Sequence, residues 1–197
     1  LKSPVILLLC VIYFGIAGIN FGLNFFVPHI VHNFGVGLFL TGCISAIPFF
    51  IGGVGMIVWG WHSDKHNERR FHVLSAMCLA IAGLGGATLI GDPVVKLILL
   101  CIASFGVFSC IPVFWTLTPT MLSPAAVAVA LAVVNSIGNL AGFSAPFVVG
   151  LLKDMTGTVN AGLQVVVLLG LIAVVLLSLL LRHQSNLTKK PTMAISR

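Results

Sequence analysis

The sequence predicts an all-α membrane protein, and three observations support this fold class. Hydrophobic residues make up 59% of the 197-residue chain and charged residues only 7%, against roughly 25% charged residues in soluble domains. The mean hydropathy is +1.17. The apolar residues form six continuous runs, each long enough for a helix to cross a hydrocarbon core about 30 Å thick, whereas strands of a membrane barrel would alternate.

Each predicted span is bounded by polar or helix-breaking residues. In chain order the spans cover residues 4–28, 38–61, 71–91, 95–119, 125–151 and 161–181. Together they form a six-helix transmembrane domain over residues 1–182. The polar stretch 183–197, which contains Pro191, is predicted to be a disordered cytoplasmic tail.

The basic residues predict the orientation of the spans. Of the ten Lys and Arg residues, eight fall on one side and only Lys96 and Lys153 on the other. The positive-inside rule therefore predicts that both chain ends and the loop between spans two and three are cytoplasmic. The net charge of +6 then reflects topology, so no nucleic-acid partner is expected. The five cysteines lie inside apolar runs without metal-ligand spacing and are predicted to be buried free thiols, namely Cys10, Cys43, Cys78, Cys101 and Cys110.

An internal repeat relates the two halves of the chain. A shift of 90 residues aligns Ile47 with Ile137, Gly52 with Gly142, Gly60 with Gly150 and Asp64 with Asp154, and a shift of 91 aligns Phe14-Gly15 with Phe105-Gly106. The shift places spans one to three on spans four to six. Because each unit has three spans, the second copy is inverted, which predicts a 3+3 inverted repeat typical of secondary transporters.

The loop between spans two and three holds an unusual share of the polarity, in the stretch WGWHSDKHNERRFHV at 59–73. It resembles the cytoplasmic loop signature of the major facilitator superfamily, with Asn67 at the position where that signature usually has a turn glycine. The resemblance implies a conformational latch formed by Gly60, Asp64, Lys65, Arg69 and Arg70. The alternative is an ordinary stop-transfer loop.

The histidines of this loop could suggest a metal site, since His62 and His66 are four residues apart. No spacing fixes a third ligand, so a solvated interfacial cluster with His72 is predicted instead. Neither a metal nor a cofactor is expected.

Polar residues inside the spans are the candidates for substrate binding, because such groups are costly in a membrane. Tyr13, Asn20 and Asn24 fall on one stripe of span one. Asn135 and Asn139 repeat this pattern in span five, and span four carries Trp115, Thr116 and two flanking prolines. Each Asn could equally bind a neighbouring helix. All four acids lie at span ends, and no Lys or Arg lies in the middle of a span. These spans therefore contain neither a carboxylate at depth for a proton relay nor a cation at depth for binding an anion.

Three segments narrow the resemblance: 59–70 (WGWHSDKHNERR), 111–119 (IPVFWTLTP) and 135–157 (NSIGNLAGFSAPFVVGLLKDMTG). They are similar to the C-terminal half of the anion:cation symporter family, and most similar to its bacterial tartrate and phthalate permeases. This resemblance implies proton-coupled uptake of a small organic anion, such as a sugar acid, across the bacterial inner membrane by alternating access. It also implies a missing N-terminal six-helix half, and the start at Leu1 fits a piece of a longer protein. The substrate-binding residues carried over are Asn20, Trp115, Asn135, Tyr13, Thr116 and Asn139.

Two alternative functions stay open on the sequence, and a third is not expected. A self-contained six-span channel would need a repeated charged or carbonyl-lined constriction, which the sequence does not indicate. A truncated, inactive transporter fragment is the second alternative. An intramembrane enzyme is not expected, because Ser144 has no histidine at membrane depth to act as its base.

Overall fold

The apolar runs form helices, as their length and composition predict. A computed structural model of the chain describes residues 4–189, with side chains described through residue 184. The elements are α1 (Pro4–His32), α2 (Leu38–Lys65), α3 (Arg70–Leu89), α4 (Pro93–Leu117), a 3₁₀ turn (Thr118–Met121), α5 (Val127–Asn139), α6 (Ala141–Thr156) and α7 (Val159–Lys189). Six helical segments are long and apolar enough to cross a membrane, with the 3₁₀ turn joined to α4 and with α5 and α6 joined into one span. They cover residues 4–32, 38–65, 70–89, 93–121, 127–156 and 159–184. The predicted all-α fold with six spans is confirmed.

The last helix extends beyond the predicted end of the domain. α7 continues to Lys189, so the polar segment predicted to begin at residue 183 starts as helix. No glycine or proline lies between Gly170 and Pro191, which explains why the helix does not stop where its apolar run does. Residues 190–197 of the predicted tail lie outside the described residues.

Span five is divided into α5 and α6 at Leu140. The amide of Asn139 donates to the Asn135 carbonyl oxygen at 2.8 Å, and therefore competes with the backbone for that acceptor. The Phe143 N–H bonds to the Leu140 carbonyl three residues back. Glycines at 138 and 142 further weaken this part of the helix. The sequence predicted one uninterrupted span here, so the break is a difference in detail.

The contacts between helices follow a pseudo-twofold pattern. α1 packs against span five (α5 and α6) and span six (α7), while α4 packs against α2 and α3. α1 also contacts α4, and α3 contacts α7. Exchanging spans one, two and three with spans four, five and six leaves this set of contacts unchanged, as the inverted repeat predicts. The contacts of α6 with α7 and of α1 with α2 and α3 are exceptions, since the related spans have no contacts of similar extent.

Glycines related by the repeat make equivalent close contacts. A Cβ at Gly15 would lie 2.6 Å from the Ala173 Cβ of α7, and a Cβ at Gly106 would lie 2.5 Å from the Ala76 carbonyl oxygen of α3. Each glycine thus lets the first span of its unit approach the third span of the other unit. Gly52 and Gly142 likewise face phenylalanine rings of α4 and α1, respectively. These side-chain-free positions permit the close helix packing that association in a membrane requires.

Two turns related by the repeat use the same backbone conformation. Asn67 follows α2 with φ 48°, and Gly157 follows α6 with φ 75°. The two residues are 90 positions apart, which is the offset of the repeat. The left-handed turn predicted at Asn67 is therefore present, and its counterpart is a glycine.

The cysteines are free, but only two of the five are buried. Cys10 and Cys110 are buried, whereas Cys43 and Cys78 are exposed. The prediction that all five are buried was therefore wrong. An apolar run in a membrane helix has one face toward lipid, so apolar surroundings in the sequence do not require burial in protein.

Candidate functional site

Three aromatic rings connect α1, α4 and α5 at the centre of the candidate site. The Tyr13 ring lies edge-on to Trp115, with centroids 4.7 Å apart, and stacks on Phe114 at 5.4 Å. Tyr13 also packs directly against Gly138 of α5, so any side chain there would displace the ring. The structure therefore brings together Tyr13 and Trp115, two of the predicted binding residues, beside the helix that carries Asn135 and Asn139.

Two asparagine pairs with the same geometry flank these rings. In α1 the Asn24 amide nitrogen donates to the Asn20 side-chain oxygen at 2.9 Å. In α5 the Asn139 amide nitrogen donates to the Asn135 side-chain oxygen at 2.8 Å. Each pair occupies the acceptor of the earlier asparagine and leaves its NH₂ group without a partner among the described residues. The later asparagine thus orients the earlier one as a donor.

The exposure of these amides indicates what faces them. Asn24, Asn135 and Asn139 are exposed, and Asn20 is half-buried. All four lie within membrane spans, where contact between an amide and hydrocarbon is costly. The amide-bearing face of α1 and α5 therefore suits contact with water or with further protein rather than with lipid. The pairing within each helix also explains why these asparagines do not bind a neighbouring helix among the described residues.

Thr116 is placed differently from the other predicted binding residues. Its hydroxyl donates to the Val113 carbonyl at 3.0 Å, and its own carbonyl accepts from Arg69 Nη1 at 3.3 Å. Thr116 is consequently part of the contact between the end of α4 and the loop after α2. Its hydroxyl is less available to a ligand than the free donors of Asn20 and Asn135.

Arg69 connects the predicted latch to α4. Besides its bond to Thr116, its Nη2 lies 3.5 Å from Asp64 Oδ1. Its Nε is buried and has no hydrogen-bond partner among the described residues. Such an unsatisfied buried donor costs stability unless another group reaches it. Asp64 therefore pairs with an arginine of its own loop in this state.

The other predicted latch residues surround this pair. Lys65 Nζ lies 4.9 Å from the Trp61 ring, and Arg70 borders a groove between α3 and α7. No described atom lies within 4 Å of a Cβ built on Gly60. A glycine permits close approach of another helix, but no other helix in the described part of this chain comes close to Gly60.

The loop also contains a hydrogen-bonded chain of side chains that the sequence did not predict. His72 Nδ1 lies 3.0 Å from Glu68 Oε2, and His72 Nε2 lies 2.7 Å from His62 Nδ1. The Trp59 indole donates to the His72 carbonyl at 3.0 Å. His72 is buried, with 4% of its surface exposed, so the predicted solvated cluster was wrong for this residue. The spacing of Glu68 and His72, four residues apart, is the one signal that could have indicated their contact.

Glu68 is held in its charged form by this environment. Partial burial acts to raise the pKa of its carboxyl group, but hydrogen bonds from the Phe71 N–H and from His72 outweigh it, so the pKa lies below its usual value. The Phe71 N–H is 2.8 Å from Glu68 Oε1. The carboxylate therefore satisfies a backbone donor in the first turn of α3.

Comparisons with known proteins identify the family and several relatives of this chain. The family model described as "Major Facilitator Superfamily" matches residues 1–146. A protein named "Putative tartrate transporter" from Agrobacterium vitis is 37% identical over 95% of this chain and 42% of its own length. A "Quinolone resistance transporter" from Acinetobacter baumannii is 34% identical over 95% of this chain and 44% of its own length. A "Putative metabolite transport protein NicT" from Pseudomonas putida is 32% identical over 74% of this chain and 34% of its own length. The chain thus spans less than half the length of these relatives.

Proposed function

The chain belongs to the major facilitator superfamily, and from this we propose that it forms the C-terminal six-helix half of a secondary transporter for a small organic anion. The described spans form the all-helical, six-span unit of that superfamily. The transporter relatives also favour a transport function over an enzymatic one. Alternating access would move the substrate between two halves, of which this chain supplies one.

The observation that carries the proposal is the set of donors without hydrogen-bond partners on α1, α4 and α5, around the contact of Tyr13 with Trp115 and Gly138. The NH₂ groups of Asn20 and Asn135 and the polar atoms of Tyr13 and Trp115 make no hydrogen bond to described residues. Neutral donors can bind carboxylate or hydroxyl oxygens, and the two rings can cover the apolar edge of a ligand. A site of this type suits a hydroxylated or aromatic carboxylate.

The proposal includes proton coupling, with the coupling groups outside this chain. Among the described spans every Asp, Glu, Lys and Arg lies at or near a helix end. Coupling and neutralisation of an anion both require an ionisable group at depth. We therefore assign the carboxylate and the cation to the half that faces these helices. This arrangement fits the anion:cation symporter family.

The proposed orientation places the loop after α2 in the cytoplasm of a bacterial cell. Arg69 of that loop contacts the end of α4, whereas Lys96 and Lys153 line one cavity at the opposite end of the bundle. This distribution of bases agrees with the positive-inside rule. In intact cells, an impermeant thiol reagent should label Asp154→Cys but not Arg70→Cys. Labelling of both from the same side would reject the orientation and the inverted repeat.

Uptake into proteoliposomes containing the complete transporter tests the proposed function. Labelled tartrate, phthalate and a sugar acid should accumulate when the exterior is acidic and should not accumulate without a pH gradient. Trp115→Ala and Asn135→Ala should each reduce uptake at low substrate concentration about tenfold, as expected for the loss of about 1.5 kcal/mol of binding. Leu171→Ala, a truncation of an exposed α7 side chain, is the control.

The outcomes separate the alternatives. Equal uptake by Trp115→Ala, Asn135→Ala and Leu171→Ala would reject the site assignment. Flux that ignores the pH gradient and never exceeds equilibrium would favour a channel. Because one relative is named for quinolone resistance, the tested substrates should include a quinolone, which is an aromatic carboxylate drug. Transport of that drug alone would replace the small-anion proposal.

A further inference from the structure

A cavity of about 290 Å³ lies at the end of the bundle opposite the loop after α2. Its wall comes from the end of α1, the starts of α4 and α7, and the end of α6. The volume is at the lower limit of ordinary ligand pockets, which suits a small molecule.

The cavity brings together the two bases that are predicted to lie on the opposite side of the membrane from the other eight. Lys96 of α4 and Lys153 of α6 both line it, together with His29 of α1. All three are half-buried. Neither lysine makes an ion pair with any described residue. Two lysines from different helices line one partly enclosed space, and neither is held in an ion pair, which favours an anion there.

The two acids near these lysines, Asp92 and Asp154, do not line the cavity. Asp92 precedes α4, but its Oδ1 accepts from the N–H groups of Val94 and Val95 at 3.0 and 2.9 Å. Asp154 is exposed, and neither acid is among the residues that line the cavity. Polar lining is instead provided by the amides of Asn33 and Asn160. The first residues of α7 also border the cavity, which adds the positive end of a long helix dipole.

We propose that this cavity binds a small dicarboxylate between Lys96 and Lys153, at a site separate from the Tyr13–Trp115 face. Two ammonium groups on different helices match a ligand with two negative ends, while the Asn33 and Asn160 amides donate to its remaining oxygens. Binding at this site does not require that the protein transport the same anion. Only the choice of a carboxylate rests on the proposed function. A lipid phosphate has related chemistry and is the competing source of the anion.

Lysine protection in nanodiscs tests this site directly. The complete protein is placed in phosphatidylcholine discs at low salt, and each lysine is modified with acetic anhydride and quantified by peptide mass spectrometry. Succinate should slow the modification of Lys96 and Lys153 at least about threefold and leave Lys65 unchanged, since a bound carboxylate occupies the ammonium groups. Uncharged succinamide should protect none of them. Equal rates with and without succinate would overturn the proposal.

Variants then identify the residues and separate this site from the transport site. In an Asn135→Ala background, Lys96→Gln and Lys153→Gln should each weaken succinate binding by calorimetry about tenfold, whereas Arg182→Gln at the other end should not. Unchanged affinity in both lysine variants would reject the site. If the complete protein transports none of the tested anions while the lysine variants lose succinate binding, the proposed function fails and this site stands. Protection only in discs containing phosphatidylglycerol, and none by succinate, would assign the cavity to lipid and reject the dicarboxylate.

Discussion

Arg69 joins two parts of the chain that lie 47 positions apart, through its bond to the Thr116 carbonyl. The sequence predicted a latch around Asp64 and Arg69, and these two side chains do pair. It could not predict the bond to α4, because nothing in local spacing indicates which helix end meets the loop. The same limit applies to the Glu68, His72 and His62 chain, in which only the first contact lies at helical spacing.

The Asp64 pair is suited to control motion rather than stability. Its atoms are 3.5 Å apart, with 32% of the Arg69 and 63% of the Asp64 side chain exposed, and pairs of this type contribute less than about 1 kcal/mol. Asp64→Asn should therefore leave thermal stability and substrate affinity nearly unchanged and slow transport about tenfold or more. Uptake rates and binding of the same preparation measure both effects. Transport at the native rate would remove the latch role.

Glu68 gives a pH dependence with a defined sign. Its folded-state pKa is lowered, so its stabilising effect is present above the unfolded pKa and is lost as the pH falls through the folded one. The loss of thermal stability in Glu68→Gln should be largest near pH 7 and should disappear in acid. Melting curves from pH 7 to pH 3 in detergent measure this. Asp154→Asn, at an exposed acid of the opposite end, is the control, and a constant difference at all pH values would contradict the assignment.

At the scale of the helix, composition and length were sufficient to place all six spans, whereas their internal detail was not predicted. The break at Leu140 follows the Asn135–Asn139 pair and lies between Gly138 and Gly142, which a run of apolar residues does not reveal. The structure also identifies the helix contacts that the glycines make. Gly83 and Gly106 interlock the two helices α3 and α4, each against the backbone of the other.

Gly106 provides a test of this interlock. A Cβ at this position would lie 2.5 Å from the Ala76 carbonyl oxygen, so Gly106→Ala must separate α3 from α4 at a cost of about 1–3 kcal/mol. Gly53→Ala is a matched control, because no described atom lies within 4 Å of its Cβ position. The first variant should melt several degrees lower in detergent, and the control should melt at or above the native temperature. Equal melting temperatures would contradict the close crossing.

At the scale of the whole molecule, the repeat was predicted from a few matched residues and is supported by three features of the structure. These are the exchange symmetry of the helix contacts, the paired glycine contacts and the two left-handed turns 90 residues apart. The cavity that unites Lys96 and Lys153 was not predicted. Charge counting assigns residues to a side of the membrane, but only the packing of four helices brings these two together.

The proposed function requires that the asparagines of α1 and α5 line a water-filled substrate path. In a background without native cysteines, Asn139→Cys should react with a membrane-impermeant thiol reagent, and substrate should change that rate as the transporter redistributes between its two states. Leu171→Cys, which is exposed on α7 within its span, should stay unreactive because it faces lipid. If Asn139→Cys is as unreactive as Leu171→Cys, with and without substrate, the asparagines do not meet water and the account is contradicted.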